Sequence, residues 1–373
     1  MPHRRAVLTL LPLAALLVGC ARPDPPRVER LAVPAPSLAG SLIPNASTQP
    51  ALVLLPPSYH QGSRSYPVVY YLPGFTTDVT EYLDGSFDGF HLDRALDAAV
   101  ARGSSRELIV VVVNGRNPLG GCFYVNSPVT GRFEDYVVQD VVGYVEERYR
   151  IRREPACRGV AGDSMGGFGA LHLAMRHPDL FGAVFAESPG LFDEEGLEDE
   201  GMLTPPYAAG WRIQADRMRA WPEQEAPVRL AGLSHQLLSS SSYFSYRMGF
   251  DLAYAAAFSP APDAGPPFVS WDPERLRSGF GRLAEKVALH REALASLRGL
   301  QIDIGRADRQ AWIPRGARRL SQLLGQAGVE HRLTEHDGGS EDRLGSRIET
   351  EMLPFFSQVL CPESGATSEP EDR

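Results

Sequence analysis

Ser164 is flanked by glycines two positions before and two positions after it, in the stretch Gly162-Asp163-Ser164-Met165-Gly166. A short apolar run precedes this stretch, and apolar residues recur at helical spacing after it. The pattern predicts a strand, a sharp turn and a helix, since the glycines permit a backbone reversal that side chains would block. Such a turn lifts the serine hydroxyl clear of the sheet for attack on a carbonyl carbon. The backbone N–H of Met165 would then point at the carbonyl oxygen.

The chemistry of such a serine depends on groups elsewhere in the chain. A serine hydroxyl is a poor nucleophile near pH 7, and it needs a base within hydrogen-bond reach and an anion that holds the base in the correct tautomer. The helix that begins behind Ser164 would add the positive end of its dipole to the anion site. The alternative is a glycine-rich turn with a serine that takes no part in catalysis.

Continuous runs of Val, Ile and Leu, rather than alternating patterns, mark the predicted strands, and they favour strands covered on both faces, as in a parallel sheet. Besides the run before Ser164, they are Leu52–Leu55, Pro67–Leu72, Leu108–Val113, Ala183–Ala186, Leu300–Ile304 and Val329–Thr334. Between them the spacing predicts helices over Phe133–Tyr149, over Ala317–Gln326 with Gly328 as its cap, and over Arg343–Leu360 with a kink at Pro354. This alternation predicts an α/β fold with a doubly wound, mostly parallel sheet.

Three stretches make the sequence similar to a known family: GDSMGGFGALHLAMRHPDLF around Ser164, YPVVYYLPGF upstream, and GGCFYVNS between them. They resemble the α/β-hydrolase branch that includes esterase D, the antigen 85 mycolyltransferases, feruloyl esterases and enterochelin esterases. The resemblance runs from about Leu52 to Leu360, with a weaker middle. It implies an α/β-hydrolase fold and an acyl-ester hydrolase or acyltransferase that uses Ser, Asp and His.

The resemblance also indicates where the acid and the histidine should lie, because this fold places them after the serine in that order. Asp308 stands where the family has its acid, and Asp303, inside the preceding strand, is the second candidate; an ordinary loop aspartate is the alternative for Asp308. At the position of the family's histidine this chain has Ser340, which cannot act as a base near pH 7. His336, four residues earlier, is the predicted substitute, and a strand-end histidine unconnected to Ser164 is the alternative.

Further parts follow from the same resemblance. Leu72-Pro73-Gly74-Phe75-Thr76 is expected to supply the second oxyanion donor, the N–H of Phe75 or of Thr76, opposite Met165. Tyr124, Asn126 and Ser127 correspond to a loop on the substrate side. The region of about 192–285 interrupts the strand–helix rhythm and is expected to be an insertion, which either caps the active site as in the family or makes a surface excursion.

The N-terminus is predicted to be a lipoprotein signal peptide, residues 1–20. Two arginines precede an apolar run too short to span a bilayer, which ends in the lipobox-like Leu17-Val18-Gly19-Cys20. Cys20 would be lipidated and would hold the chain at the cell envelope, outer membrane or periplasm-facing, and an ordinary secretory signal is the alternative. Residues 21–50 are predicted to be a tether with edge-strand material near its end, 51–361 the esterase domain, and 362–373 a disordered tail.

Composition narrows the function further. The formal net charge of −9 disfavours nucleic acid as a partner. No cofactor or metal-binding pattern appears, and beyond Cys20 the three cysteines cannot all pair.

Taken together, the motifs, the resemblance and the N-terminus predict a serine esterase acting on small-molecule esters, acylated sugars or lipids at the cell envelope. The alternatives are a catalytically impaired hydrolase-fold binding protein that lacks the triad histidine, and an acyltransferase of the antigen 85 kind.

Overall fold

The computed structural model describes residues 26–199, 205–339 and 343–361. The predicted signal peptide with Cys20, the predicted tail and Ser340 lie outside the described residues. Ten strands are present within those ranges: β1 (Val28–Pro34), β2 (Thr48–Leu54), β3 (Val68–Leu72), β4 (Ile109–Val113), β5 (Asn126–Ser127), β6 (Gly131–Arg132), β7 (Arg158–Asp163), β8 (Ala183–Glu187), β9 (Gly299–Gly305) and β10 (Arg332–His336).

Eight of these strands form one sheet in the order β1-β2-β4-β3-β7-β8-β9-β10, and β5 pairs with β6 in a separate short hairpin. Strands β4, β3, β7, β8, β9 and β10 run parallel to one another, whereas β2 pairs antiparallel with β4 and β1 pairs antiparallel with β2. The predicted mostly parallel sheet is therefore confirmed. Each predicted apolar run lies in a strand or overlaps one, although β10 begins three residues later than the pattern indicated.

Strand β1 lies within the predicted tether, so the tether prediction is wrong for this segment. Residues 28–34 pair along their whole length with β2, from Val28 opposite Leu54 to Pro34 opposite Thr48. An edge strand is covered by only one neighbour, so it needs no continuous apolar run, and Val33 is the one fully buried residue of β1. The Pro- and Ala-rich composition of this segment therefore hid a strand.

The described part of the chain contains fourteen α-helices: α1 (Leu92–Ala101), α2 (Phe133–Asp135), α3 (Val142–Arg148), α4 (Met165–Arg176), α5 (Gly196–Asp199), α6 (Pro205–Arg219), α7 (Ala226–Leu238), α8 (Tyr243–Phe258), α9 (Pro273–Ser278), α10 (Leu283–Leu289), α11 (Arg291–Ser296), α12 (Trp312–Gln326), α13 (Leu344–Arg347) and α14 (Leu353–Val359). Helices α3, α4 and α12 pack on one face of the sheet. Helices α1, α13 and α14 pack on the other, so both faces are covered and the sheet is doubly wound.

Two predicted helices are continuous but contain wider turns. A π-helical stretch, Tyr136–Val141, joins α2 to α3, and a second, Ile348–Met352, joins α13 to α14. The second stretch ends just before Pro354, which sits in the first turn of α14. A proline lacks the N–H that the helix interior needs, and the first turn of a helix tolerates that loss. The expected disturbance at Pro354 is thus a π-helical turn.

The interruption predicted at about 192–285 is a helical insertion between β8 and β9. It contains α5 to α9, and α7 packs against α8. Rings from the insertion join rings of the main domain, since Phe250 and Tyr254 of α8 both contact Phe123. This aromatic contact fixes α8 above the carboxyl ends of the central strands.

A disulfide joins Cys157, just before β7, to Cys361, just after α14, and Cys122 is free and buried. The bond closes a loop across 204 residues of sequence. A cross-link over so long a loop stabilises the fold by about 5 kcal/mol in the chain-entropy account. Within the described ranges, no helix has the length and apolar character that crossing a membrane requires.

Candidate active site

The turn between β7 and α4 has the geometry that its glycines predict. Ser164 has φ 51° and ψ −113°, a strained backbone conformation for a residue with a side chain. A Cβ atom added at Gly166 would lie 1.7 Å from the carbonyl oxygen of Leu72, and one at Gly162 would lie 2.5 Å from the Gly166 backbone. No other residue type fits these two positions, so the glycines allow the turn that exposes Ser164.

A cavity of about 600 Å³ lies over Ser164. Its floor comes from the carboxyl ends of β3, β7 and β8, one wall comes from α8, and another comes from the loop after β9. Ser164, Met165, Phe75 and Asp308 all line it, so the structure brings four of the predicted site residues together. The rest of the lining includes the aromatic and charged residues Phe87, Asp88, Asp163, Glu187, Tyr243, Tyr246, Arg247, Phe250, Phe280, Arg309 and Trp312.

Two residues that line this cavity have backbone N–H groups without an acceptor in the described part of the chain. One belongs to Met165, at the first position of α4, where a helix leaves its N–H groups unpaired. The other belongs to Phe75, whereas the N–H of Thr76 donates to the Gly120 oxygen at 3.0 Å. Of the two residues that the sequence left open, only Phe75 keeps its donor free. The pair can therefore donate to an oxygen that becomes negative.

Asp163, directly before Ser164, holds the turn that carries Phe75. Its Oδ1 accepts hydrogen bonds from the hydroxyls of Tyr71 at 2.9 Å and Tyr82 at 2.6 Å. The carboxylate also accepts the backbone N–H of Gly74, where a Cβ would lie 2.6 Å from Oδ2. Burial raises the pKa of Asp163 to about 6, against the lowering effect of these hydrogen bonds. The glycine at position 74 thus permits a close carboxylate–backbone contact beside the Phe75 donor.

Asp308 and His336 occupy different surroundings. Asp308 Oδ1 accepts the N–H of Gln310 at 2.8 Å, and its Oδ2 is buried without a hydrogen-bond partner. His336, at the end of β10, is buried with its Nε2 3.9 Å from Oδ2 of Asp303. Asp303 is itself paired in a bidentate manner with Arg347. Among the described residues that line the Ser164 cavity, none is a histidine.

The remaining histidines that could be considered have other contacts. His172 and His177, on α4 and at its end, both contact the carboxylate of Glu134, at 3.1 and 2.9 Å. His331 contacts Ser321, and His91 contacts the Leu83 oxygen. Desolvation lowers the pKa of His172, against the opposing effect of Glu134. These rings have structural roles.

The three residues predicted to line the substrate side lie outside the cavity. Tyr124 is fully buried and donates its hydroxyl to the Pro73 oxygen at 2.9 Å. Ser127 donates to the Ala256 oxygen of α8 at 2.6 Å. Asn126 exchanges two hydrogen bonds with Asp135. Through these contacts Tyr124 supports the Pro73–Phe75 turn, and Ser127 ties α8 to the main domain.

Glu187 is a cavity-lining residue that the sequence analysis missed. The strand register places Asp163, Glu187 and Asp303 side by side across β7, β8 and β9. Both carboxyl oxygens of Glu187 are buried without a hydrogen-bond partner in the described structure. Burial raises its pKa well above the ordinary value, and the charges of Asp303 and Asp163 raise it further. Glu187 closes the Ala183–Ala186 run, but its neighbours become visible only once the strands are paired.

Comparison with known proteins gives a consistent result. A family model described as "Putative esterase" matches residues 47–363. The chain is 30% identical over 141 residues to an esterase of Mycobacterium tuberculosis strain H37Rv, a match that covers 36% of this chain and 28% of that protein. It is 26% identical over 157 residues to the uncharacterized protein YbbA of Bacillus subtilis, covering 39% and 58% respectively. The chain thus matches less than two thirds of the length of either relative.

Solved structures share the fold at low sequence identity. A ferulic acid esterase superposes with a TM-score of 0.55 at 21% identity, covering 89% of this chain and 98% of the other. An S-formylglutathione hydrolase from Agrobacterium tumefaciens superposes with a TM-score of 0.50 at 15% identity, covering 89% and 95%. Because the family match spans most of the described chain, including the sheet and the Ser164 turn, this protein belongs to the esterase family of α/β-hydrolases.

Proposed function

We propose that this protein is a serine esterase that works through an acyl-enzyme on Ser164. The observation that supports the proposal most directly is the strained Ser164 at the floor of a cavity, beside the free N–H groups of Phe75 and Met165. A hydroxyl in this position can attack an ester carbonyl while the two amides stabilise the oxyanion. Preorganised donors of this kind contribute about 10²–10³ in rate per donor in related chemistry.

The reaction then has two halves. In the first, Ser164 Oγ bonds to the carbonyl carbon and its proton passes to a base, after which the ester C–O bond breaks and the leaving alcohol takes that proton. In the second, water attacks the acyl-enzyme, its proton passes to the same base, and Ser164 Oγ leaves with it as the acid product is released. Each half needs a group that accepts and returns one proton.

His336 is the base that the sequence predicts, and its Nε2 has no hydrogen-bond partner in the described structure. Its neighbouring carboxylate is Asp303 rather than Asp308, so the pair that would act on Ser164 is His336 with Asp303. The His336 side chain would have to turn away from Asp303 and toward the Ser164 cavity. Asp308, which lines the cavity with one unpartnered oxygen, would then contact substrate or water.

The absence of a histidine from the described cavity lining favours a second candidate, an impaired hydrolase that binds esters without turning them over. Labelling and turnover distinguish the two. The purified protein is treated with a fluorophosphonate probe and assayed with short p-nitrophenyl esters, with Ser164→Ala as the matched control. Labelling at Ser164 with turnover that Ser164→Ala abolishes supports the esterase. Ester binding without labelling or turnover supports the impaired hydrolase and contradicts our proposal.

The cavity also suggests a substrate class. Rings of Phe75, Tyr246, Phe250, Phe280 and Trp312 line it, which suits a flat or branched apolar group on one side of the ester. Superposition on ferulic acid esterases agrees with an aromatic acyl group. We therefore propose small esters of this type, including acylated sugars, as substrates. Assays with sugar acceptors present would reveal acyl transfer of the antigen 85 kind as an acylated sugar product.

We further propose that the protein is anchored at the cell envelope through lipid on Cys20. The Cys157–Cys361 disulfide supports an oxidising compartment, where such bonds persist. Cells grown with an alkyne fatty acid should label the wild-type protein in the membrane fraction. Cys20→Ala should remove the label and release the protein from that fraction. Labelling that survives Cys20→Ala would contradict the anchor.

A further inference from the structure

A second cavity, of about 380 Å³, lies on the other side of the turn that carries the Phe75 donor. Phe75 lines the Ser164 cavity and the next residue, Thr76, lines the second one. Gly120 lines the second cavity too, and a Cβ there would lie 2.9 Å from the Phe75 ring. The two cavities therefore lie on either side of this turn, and consecutive residues of the chain line them.

The chemistry of the second cavity differs from that of the first. The lining of the Ser164 cavity has four carboxyl groups, on Asp88, Asp163, Glu187 and Asp308, and two guanidinium groups, on Arg247 and Arg309. The second cavity has Arg116 and His235 in its described lining and no carboxyl group there. On a chain with a net charge of −9, this is a local site for negative charge.

Two donors in this cavity have no acceptor within the described chain. The Arg116 guanidinium is exposed, and no described residue pairs with it. Asn117 is 7% exposed, its Oδ1 accepts the Leu119 N–H at 2.8 Å, and its Nδ2 is buried without a partner. A buried amide nitrogen that lacks an acceptor costs free energy, which a bound acceptor would recover.

We propose that this second cavity is a subsite for an anionic group, a carboxylate or a phosphate, at the far end of the ester bound at Ser164. Arg116 supplies the charge, the unpartnered Nδ2 of Asn117 supplies a further donor, and His235 of α7 closes the opposite wall. The proposal rests on the proposed esterase function. It adds that the substrate carries a negative charge away from the scissile bond.

Paired esters test the subsite. One set consists of p-nitrophenyl hemiesters of dicarboxylic acids of increasing length, each with its methyl-capped neutral counterpart. The other set places the charge on the alcohol, as 4-carboxybenzyl butyrate against its methyl ester. At least one anionic ester should exceed its neutral counterpart about 10-fold in kcat/KM, a preference that weakens with added salt. If the hemiesters show this preference, the subsite binds a group on the acyl side of the ester. If 4-carboxybenzyl butyrate shows it, the subsite binds a group on the alcohol side.

Arg116→Gln should lower kcat/KM for the preferred anionic ester about 10-fold, to the level of its neutral counterpart. Arg94→Gln is the matched control, because Arg94 is an exposed arginine on α1 outside both described cavity linings and its loss changes the net charge equally. If no anionic ester is preferred, or if the preference survives Arg116→Gln, the subsite is wrong even though neutral esters are hydrolysed.

A binding measurement distinguishes failure of the anion subsite from failure of the esterase proposal. Benzoate and inorganic phosphate are added to the intact Ser164→Ala protein, and the melting temperature is recorded. Either anion should raise the melting temperature of the Ser164→Ala protein. The melting temperature of the double variant with Ser164→Ala and Arg116→Gln should stay unchanged. Turnover of no ester together with this shift would contradict the esterase and retain the anion site. The same shift in both proteins would contradict the anion site.

Discussion

The side chains of His336 on β10 and Asp303 on β9 approach each other, with 3.9 Å between Nε2 and Oδ2. The same two strands leave Asp308, five residues beyond Asp303, at the Ser164 cavity. The histidine and the acid predicted to act together are thus separated, and the histidine joins a buried row of carboxyl groups. This arrangement makes the source of the catalytic base the main experimental question for the protein.

Removing His336 and introducing a histidine at position 340 should show which position supplies the base. His336→Ala should lower kcat for p-nitrophenyl butyrate by about 10²–10⁴, the usual contribution of general-base catalysis. Ser340→His in that background should recover much of the loss, because it places an imidazole where the sequence resemblance predicts the family's histidine. Steady-state kinetics near pH 8 measure both. Unchanged activity in His336→Ala, with a gain from Ser340→His alone, would instead identify an impaired hydrolase.

Asp163→Asn should lower kcat about 10-fold with little change in KM. Asparagine presents an NH₂ group to either Gly74 or the two tyrosines, so the turn that holds the Phe75 donor loses one of its fixed contacts. An oxyanion donor acts mainly in the transition state, which is why kcat should carry the effect. Tyr149→Phe is a suitable control, since it removes a tyrosine–carboxylate contact with Glu29 elsewhere. An equal loss in both variants would argue against a positioning role for Asp163.

Gly166→Ala should prevent correct folding or abolish activity, because its Cβ would meet the Leu72 carbonyl oxygen at 1.7 Å. Backbone lies on both sides of this contact, so no side chain can move away to relieve it. Gly143→Ala is the matched control, since a Cβ there meets nothing within 4 Å and α3 is continuous. Alanine in a helix should stabilise the fold by up to about 1 kcal/mol. Thermal melts and activity of the two variants, measured side by side, test the assignment.

Glu187→Gln should raise the melting temperature at pH 8 and change it little at pH 4. The folded protein raises the pKa of Glu187 above its unfolded value, so wild-type stability falls as pH rises from about 4.5 toward the folded pKa. Glutamine has the same shape and no ionisation, so it avoids that loss. Melts across pH 4 to 8 measure the difference between variant and wild type. A difference that does not grow with pH would mean that Glu187 ionises freely in the folded protein.

Local sequence determined those parts of the site whose geometry depends on residues adjacent along the chain. The glycines around Ser164 and the apolar runs on either side specify the strand, turn and helix, because backbone sterics act over two or three residues. The same holds for the alternation of strands and helices, and for the turn after β3, where Gly74 allows close approach. These features could be predicted from residue types and spacing.

Tertiary structure decided everything that depends on which strands become neighbours. Residue spacing indicates Asp303 only as an alternative acid and does not indicate Glu187, yet register places Asp163, Glu187 and Asp303 in one row, and the His336 side chain lies near Asp303. Pairing with β2 likewise converted residues 28–34 from a predicted tether into an edge strand. Such contacts join residues that are tens to hundreds of positions apart, so their chemistry depends on packing and desolvation, which spacing along the chain does not encode.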